Sequence, residues 1–183
     1  APDGGRDATL SPTPELAVRL ARSLAIRQFL VDVGFAGAHR MPFPADASMR
    51  RYERATHEGR SMVLMDAPAQ PPGPAIRDGR AYTEIAHIAR DVRPFVAIAE
   101  ELSARGFNAP RILAADVPAG LVLLSDLGVE GIVTPDGVPI PARYEASARA
   151  LARLHAEDFT APIETRHGFA WTIPPFDLSL IHI

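Results

Sequence analysis

Apolar residues recur at helical spacing near the start of the chain. Thr13 and Pro14 suit the N-cap and the first turn of a helix, and Gly34 suits its C-terminal end. Between them, large apolar side chains recur mainly at four-residue intervals, which is the spacing of one helical face. We therefore predict a first helix whose apolar face is formed by Leu16, Leu20, Leu24, Phe29 and Leu30.

The next part of the chain changes from helical spacing to alternation. Residues 38–45 predict a first strand, and its two prolines place it at a sheet edge or give it an irregular end. Residues 50–56 and 60–66 alternate as strands do, and residues 57–59 predict the turn between them. Residues 67–80 are rich in proline and glycine, which indicates a loop. This loop is either a lid over a ligand or an ordinary surface insertion.

Helical and strand patterns then alternate again. The continuous apolar run at 121–124 is typical of a strand that is buried on both faces. Two helices present apolar stripes at helical spacing, formed by Phe95, Ile98 and Leu102 in the first and by Tyr144, Ala148, Leu151 and Leu154 in the second. The predicted elements are a short helical piece over 82–89, a helix from 91–94 to Gly106, strands over 111–115 and 121–124, and a helix over 141–156.

The order of these elements predicts an α+β fold. One helix precedes three strands, a second helix leads into two further strands, and a turn-rich stretch precedes the last helix. This is the order of a protein-kinase-like small lobe, an antiparallel sheet with a packed helix. We divide the chain into a flexible leader (residues 1–12), a kinase-like N-terminal nucleotide-binding lobe (13–128), and a hinge with the truncated start of a helical C-terminal lobe (129–183).

Composition excludes several classes of chemistry. The chain contains no lysine and no cysteine, so it has no lysine-based phosphate site, no thiol nucleophile and no disulfide. The net charge of −3 argues against a surface built to neutralise nucleic acid. No apolar run approaches the roughly 20 residues that span a membrane, and the leader lacks the apolar region of a signal peptide. We predict a cytoplasmic protein that contacts neither nucleic acid nor membrane.

The first candidate site is the turn that precedes the second strand. It combines small residues, a hydroxyl and two guanidinium groups at the tip of a hairpin, which suits the binding of an anion such as phosphate. This segment is Asp46-Ala47-Ser48-Met49-Arg50-Arg51-Tyr52. Farther along the chain, the apolar run continues into Leu123-Leu124-Ser125-Asp126-Leu127-Gly128.

Together with two further segments, these residues resemble the aminoglycoside phosphotransferase superfamily. The closest likeness is to the subgroup that phosphorylates N-acetylmuramate and N-acetylglucosamine at the anomeric hydroxyl. The likeness runs from about residue 20 to residue 157. It rests on residues 46–52 as a phosphate-loop hairpin, Val63-Leu64-Met65-Asp66-Ala67-Pro68 as a third strand, Arg93-Pro94-Phe95-Val96 as the start of the following helix, and residues 123–128 as an interlobe hinge. The helix that ends at residues 150–156 resembles the first large-lobe helix of the superfamily.

The resemblance implies an ATP-dependent phosphotransferase that acts on a small sugar or another hydroxyl compound. It implies that Asp46, Ala47, Ser48, Met49, Arg50 and Arg51 hold the ATP phosphates, aided by Mg²⁺, and that Leu124, Ser125, Asp126 and Leu127 border the adenine. At the position of Ser125 the subgroup more often has an acidic residue. Some relatives carry this kinase behind a P-loop ATPase domain, and such a fusion upstream of residue 1 remains open.

Two departures from the family pattern affect these expectations. Met65 stands where the superfamily usually carries a phosphate-binding lysine, and the acid that pairs with that lysine has no clear counterpart. We expect Arg50 or Arg51 to supply the positive charge, and at most one of them, because strand alternation places the two on opposite faces. The alternative interpretation is that Arg50 and Arg51 are both solvated strand residues or structural ion-pair partners.

The second departure concerns catalysis. Residues 156–183 contain no His-x-Asp-x-x-x-x-Asn pattern, and phosphoryl transfer in this superfamily needs such a loop. We therefore name no catalytic residue and no metal ligand, and we expect the 183-residue chain by itself to be inactive and prone to associate. The alternative function is that of a non-catalytic, kinase-like nucleotide-binding or scaffolding module.

Overall fold

A computed structural model describes residues 13–44 and 49–175. Over these residues it contains four helices, α1 (Pro14–Asp32), α2 (Tyr82–Ile85), α3 (Arg93–Ala104) and α4 (Pro141–His155). The strands are β1 (His39–Pro42), β2 (Arg51–His57), β3 (Arg60–Asp66), β4 (Ala75–Arg77), β5 (Arg80–Ala81), β6 (Ile112–Asp116), β7 (Leu121–Ser125), β8 (Ile163–Glu164) and β9 (Ala170–Trp171). The predicted α+β fold and the order of its main elements are confirmed.

The central unit is a five-stranded antiparallel sheet with the order β1-β2-β3-β7-β6. The predicted turn between β2 and β3 is a two-residue hairpin turn. Glu58 and Gly59 both have positive φ, 48° and 75°, which is the backbone that matches the twist of a short hairpin. In the middle of the sheet, Met65 of β3 lies across from Tyr52 of β2 and from Val122 of β7.

The two faces of the sheet carry two separate apolar clusters. Strand alternation sends Leu64 and Leu123 to one face, where they join Ile26, Phe29 and Leu30 of α1. The opposite face carries Met65, Val122 and Leu124 against Val92, Val96 and Ala99 in and beside α3. The central strand β7 is buried on both faces, as its continuous apolar run predicts. The sheet therefore lies between α1 and α3.

The predicted apolar face of α1 is wrong in its first half. Leu16, Leu20 and Leu24 are 46%, 50% and 62% exposed. The side that meets the sheet carries Arg22, which bonds to β3, and Ile26. Leu24 is two residues from each of them, about 200° around a helix, so it faces away from the sheet. The spacing predicted the helix correctly, but the apolar residues of this helix are spread over more than one of its sides.

The predicted stripe of α3 is also displaced. Its buried residues are Val96, Ala97 and Ala99, whereas Ile98 is 37% exposed. Small side chains face the sheet and let the helix approach it closely. The larger Phe95 is only half-buried, although it packs against the cluster between α3 and the sheet.

Several short elements escaped sequence reasoning. The loop predicted over 67–80 contains β4 and meets β5 in a small hairpin, and β8 and β9 form another. Strands of two or three residues are too short to show alternation. The helical piece predicted over 82–89 is only α2, because His87 has a positive φ of 50°, which a helix cannot contain.

The last helix, α4, has no buried residue. Of its predicted apolar face, Tyr144 and Leu151 are 45% and 53% exposed. Arg153 near its end lies over the Phe107 ring, 4.0 Å from the centroid. Among the described residues, no helix is long and apolar enough to cross a membrane. The predicted division at residue 128 and the choice between a lid and an insertion at 67–80 stay predictions.

Candidate functional site

The predicted phosphate loop lies between β1 and β2. Asp46, Ala47 and Ser48 fall outside the described residues, so their proposed contacts stay predictions. Met49, the first described residue after that gap, is 72% exposed. The N–H of Phe43 donates to the Tyr52 carbonyl oxygen at 2.9 Å, which extends the contact between β1 and β2 by one residue beyond Pro42.

The two candidate arginines lie on opposite sides of the sheet. The guanidinium carbon of Arg50 is 5.8 Å from the centroid of the Phe95 ring in α3. Arg51 is in register with Asp66, whose carboxylate bonds to Arg22 of α1. Arg50 therefore shares the α3 face with Met65, and Arg51 lies on the α1 face. If one of the two holds phosphate on the α3 face, the geometry favours Arg50.

Apolar packing occupies the position of the expected lysine. The Met65 side chain is fully buried in the cluster that joins β3 and β7 to α3. The acidic residue Glu100 of α3 is directed elsewhere, since it accepts from Arg166 Nε at 3.0 Å and lies 3.4 Å from His167 Nε2. An apolar side chain at position 65 and an α3 carboxylate that is paired with other residues are physically consistent, because an unpaired buried carboxylate would be costly.

The predicted hinge residues have different environments. Leu124 is buried in the α3 cluster, whereas Leu127 is 55% exposed. Ser125 makes two bonds to Arg111: its Oγ accepts from the backbone N–H at 2.9 Å, and its own N–H donates to the carbonyl oxygen at 2.9 Å. Ser125 therefore ties the end of β7 to the start of β6, and its hydroxyl has a structural partner.

Asp126 holds the turn after β7 against the sheet. Its Oδ2 accepts from Arg54 Nε and from Ser61 Oγ, both at 2.8 Å, and its Oδ1 accepts from the Gly128 N–H at 2.9 Å. The Arg54 hydrogen bond, helped by Gly128 and Ser61, lowers the pKa of the Asp126 carboxyl from 3.8 to about 2. The carboxylate is thus charged at all ordinary pH values. Arg54 in turn lies 5.0 Å from the centroid of the Phe43 ring.

Sequence reasoning missed Arg54, although strand alternation carried the signal. Residues 50, 52 and 54 share a face, so Arg54 lies on the side of the sheet that the hinge reaches. Its pairing with Asp126 links positions 72 residues apart, which no local pattern shows.

Asp66, in the predicted third strand, has a structural role. Its Oδ1 accepts from Arg22 Nε at 2.9 Å and Nη2 at 2.6 Å. Arg22 also donates from Nη1 to the Ala119 carbonyl oxygen at 2.8 Å. The same junction needs Gly120, because a Cβ there would lie 2.4 Å from the Ala67 carbonyl oxygen. These contacts fix the end of β3 to α1 and to the turn before β7.

An apolar groove of about 360 Å³ lies along the outer side of α3. Phe95, Ile98 and Leu102, the stripe that sequence analysis assigned to the core, line it together with Trp171 of β9. Trp171 is half-buried there. Within residues 13–44 and 49–175, no three His, Asp or Glu side chains form a group that would hold a metal ion.

Residues 39–176 match the phosphotransferase enzyme family APH. This chain belongs to the APH phosphotransferase family. The match spans the five-stranded sheet, α3 and α4, so the order of elements and the family agree. The predicted superfamily is thereby confirmed.

Curated relatives of this APH chain carry one name. It is 34% identical over 167 residues to the N-acetylmuramate/N-acetylglucosamine kinase of Caulobacter vibrioides, which covers 85% of this chain and 46% of that protein. It is 43% identical over 91 residues to the protein of the same name from Pseudomonas aeruginosa, covering 50% of this chain and 22% of that protein. The chain therefore spans less than half of the length of these relatives. The likeness to this subgroup is confirmed.

Proposed function

We propose that the protein is an ATP-dependent sugar kinase whose acceptor is an amino sugar of the N-acetylmuramate or N-acetylglucosamine type. The observation that carries the proposal is the 34% identity to a kinase of that name across 85% of this chain. Membership of a phosphotransferase family supports the reaction class. A kinase-like sheet with α3 on one face supports a nucleotide-binding role for this part of the protein.

In this proposal the phosphates lie at the β1–β2 loop, where Ser48 and the neighbouring backbone amides donate and Arg50 supplies positive charge. A guanidinium can bind phosphate oxygens through two parallel hydrogen bonds, so Arg50 fits the group it would hold. Residues 124–127 border the base. Mg²⁺ would neutralise phosphate charge, but the described residues present no carboxylate cluster for it. We therefore assign neither a metal ligand nor a catalytic residue to the described part of this chain. The proposal also includes a cytoplasmic location for the protein.

One observation favours a second candidate, a non-catalytic nucleotide-binding or scaffolding module. Met65 is fully buried among apolar side chains, and a thioether cannot replace a cation beside the phosphates. If no other group supplies that cation, the fold binds nucleotide weakly or not at all. The two candidates differ in whether phosphate contributes to binding.

Binding of ATP and adenosine to two single variants tests the proposal. A charge-assisted contact contributes roughly 1.5–3 kcal/mol, which is about 10- to 150-fold in affinity. We expect Arg50→Ala to weaken ATP by that factor and to leave adenosine unchanged, because adenosine lacks phosphates. Arg51→Ala, on the α1 face, is the matched control and should change neither.

Phosphorylation of N-acetylmuramate and N-acetylglucosamine, measured with the natural sequence that flanks residues 1–183, tests the reaction itself. Transfer to neither sugar, together with ATP bound no more tightly than adenosine, would favour the non-catalytic module.

A further inference from the structure

Arg54 occupies an unusual place for a charged side chain. It lies in the middle of β2, in register with Val63 of β3, on the face of the sheet that α3 covers. A cation at such a position loses hydration, so its donors need partners. The side chain nevertheless keeps 29% of its surface exposed. Arg54 is therefore both held in place and open to the outside.

Two other arginines, Arg40 of β1 and Arg22 of α1, show structural ion pairs that use more of the guanidinium. Arg40 of β1 donates from Nε and Nη2 to the two carboxylate oxygens of Glu53, at 2.5 and 2.9 Å. Arg22 of α1 uses Nε, Nη1 and Nη2 on Asp66 and on the carbonyl oxygens beside it. In both cases the guanidinium fork is engaged through its terminal nitrogens.

Arg54 pairs differently with Asp126. Only its Nε donates to the carboxylate, and its two terminal nitrogens have no hydrogen-bond partner among residues 13–44 and 49–175. The second donor on Asp126 Oδ2 is Ser61 Oγ, and Gly128 donates to Oδ1. Both carboxylate oxygens thus have partners, while the four N–H groups on the two terminal nitrogens of the guanidinium are available to a ligand.

The position of these N–H groups indicates which part of a bound nucleotide would accept hydrogen bonds from them. Asp126 belongs to the turn after β7, which holds the nucleobase in the proposed function. Phe43, whose ring lies 5.0 Å from the Arg54 guanidinium carbon, is at the base of the loop that would hold the phosphates. The guanidinium therefore lies between the two segments that would enclose the nucleoside part of ATP.

We propose that Arg54 is a nucleotide-binding residue that donates hydrogen bonds from its terminal nitrogens to acceptor atoms of the purine nucleoside, and that Asp126 is the residue that positions it. This inference rests on the proposed function. It assigns Arg54 a part distinct from that of Arg50, because Arg54 acts on the nucleoside and Arg50 on the phosphates.

Titration calorimetry with adenosine, ATP and inorganic tripolyphosphate tests this division. We expect Arg54→Gln to weaken adenosine and ATP by the same factor, about 10-fold for a charged donor to a neutral acceptor, and to leave tripolyphosphate unchanged. Asp126→Asn should weaken adenosine by a smaller factor, because it loosens Arg54 without removing it. Arg40→Gln breaks the ion pair with Glu53, which lies on the opposite face of strands β1 and β2. It should leave the affinity for all three ligands unchanged.

Arg54→Lys guards against a folding defect, since it keeps a cation beside Asp126 but loses the fork; we expect it to weaken adenosine as well. Thermal unfolding of every variant shows whether the sheet is intact. If the unsubstituted protein binds adenosine and a folded Arg54→Gln or Arg54→Lys variant binds it equally well, the inference is overturned and water satisfies these donors. If the unsubstituted protein binds none of the three ligands, the proposed function fails and this inference with it.

Discussion

The burial of Met65 yields a prediction about the position where the resemblance to the wider superfamily leads one to expect a lysine. Its side chain is fully buried, and the cluster around it consists of aliphatic and aromatic side chains from the central sheet, from α3 and from residues beside them. Glu100, an acid of α3, is engaged by Arg166 and His167. A lysine introduced at position 65 would therefore have neither water nor this carboxylate as a partner. We expect Met65→Lys to be strongly destabilising.

The size of the effect follows from the cost of burying an ammonium group. Full burial lowers the pKa of a lysine by about 3–5 units, and each unit corresponds to about 1.4 kcal/mol. The whole of that cost, about 4–7 kcal/mol, applies only at pH values low enough to keep the buried amine protonated. At pH 7 the folded state holds mostly the neutral amine, so Met65→Lys should lower the free energy of unfolding by about 4–5 kcal/mol there, about 1.4 kcal/mol for each unit between pH 7 and the ordinary pKa of about 10.4. Met65→Ala should lower it by about 2–5 kcal/mol through the cavity it leaves, and Met65→Leu by less than about 1.5 kcal/mol.

The loss in the lysine variant should also depend on pH. As the pH rises, the lysine at position 65 would lose its proton at a lower pH in the folded state than in the unfolded state. Between these two pKa values the unfolded state therefore binds more protons than the folded state. Stability then rises with pH, from about pH 6 towards the ordinary lysine pKa of about 10.4.

Urea unfolding at 25 °C measures these free energies, and the single tryptophan, Trp171, reports on the region beside α3. Met41→Lys is the matched control, because Met41 lies on the same sheet but is 56% exposed, and its variant should remain within about 0.5 kcal/mol. A Met65→Lys variant within about 1.5 kcal/mol of the original protein, with no dependence on pH, would refute the reasoning. It would mean that position 65 accepts a cation.

Two further predictions concern the supports of the sheet. Gly120→Ala should lower the free energy of unfolding by about 2–5 kcal/mol in urea titration, since its φ is +67° and the new Cβ would overlap the Ala67 carbonyl. Gly137→Ala, with a φ of +80° and no heavy atom nearby, should cost only about 1–2 kcal/mol, and equal losses would contradict the steric argument. The lowered pKa of Asp126, about 2, stabilises the fold above the ordinary pKa of 3.8, and that contribution disappears as pH falls through about 2. This contribution is at most about 2.5 kcal/mol, and about 1 kcal/mol after solvent screening. Acid titration of Asp126→Asn should show a correspondingly weaker loss between pH 4 and pH 2, and an unchanged acid transition would count against the Arg54 pair.

Local signals in the sequence were sufficient for most of the element order. Thr13 caps α1 as predicted, and its Oγ1 accepts from the Leu16 N–H at 3.3 Å. Residues 58 and 59 make the predicted hairpin turn, and the apolar run at 121–124 is the doubly buried strand β7. Each of these features depends on neighbours within a few residues, so composition and spacing determine it. The resemblance to the APH family added the expected role of each segment, such as the phosphate loop at 46–52 and the hinge at 123–128.

The candidate site was only partly accessible from the sequence. Alternation predicted that Arg50 and Arg51 would lie on opposite faces, but not that Arg50 would be the one beside α3. Asp126 was named as a hinge residue that borders the adenine, and its partner Arg54 was not recognised. An ion pair between distant strands depends on sheet order and register, which residue spacing does not encode.

The sequence by itself determined which segments form the three longer helices and the five strands of the central sheet, the order of these elements, and the family. Only the tertiary structure decided which sides of α1 and α3 meet the sheet. When apolar residues lie on several sides of a helix, any of these sides can be the buried one. The choice depends on the sheet, which is built from strands far away in the chain. The same holds for Met65, whose burial depends on α3 and β7, and for Arg54, whose open donors are apparent only once Asp126 lies beside it.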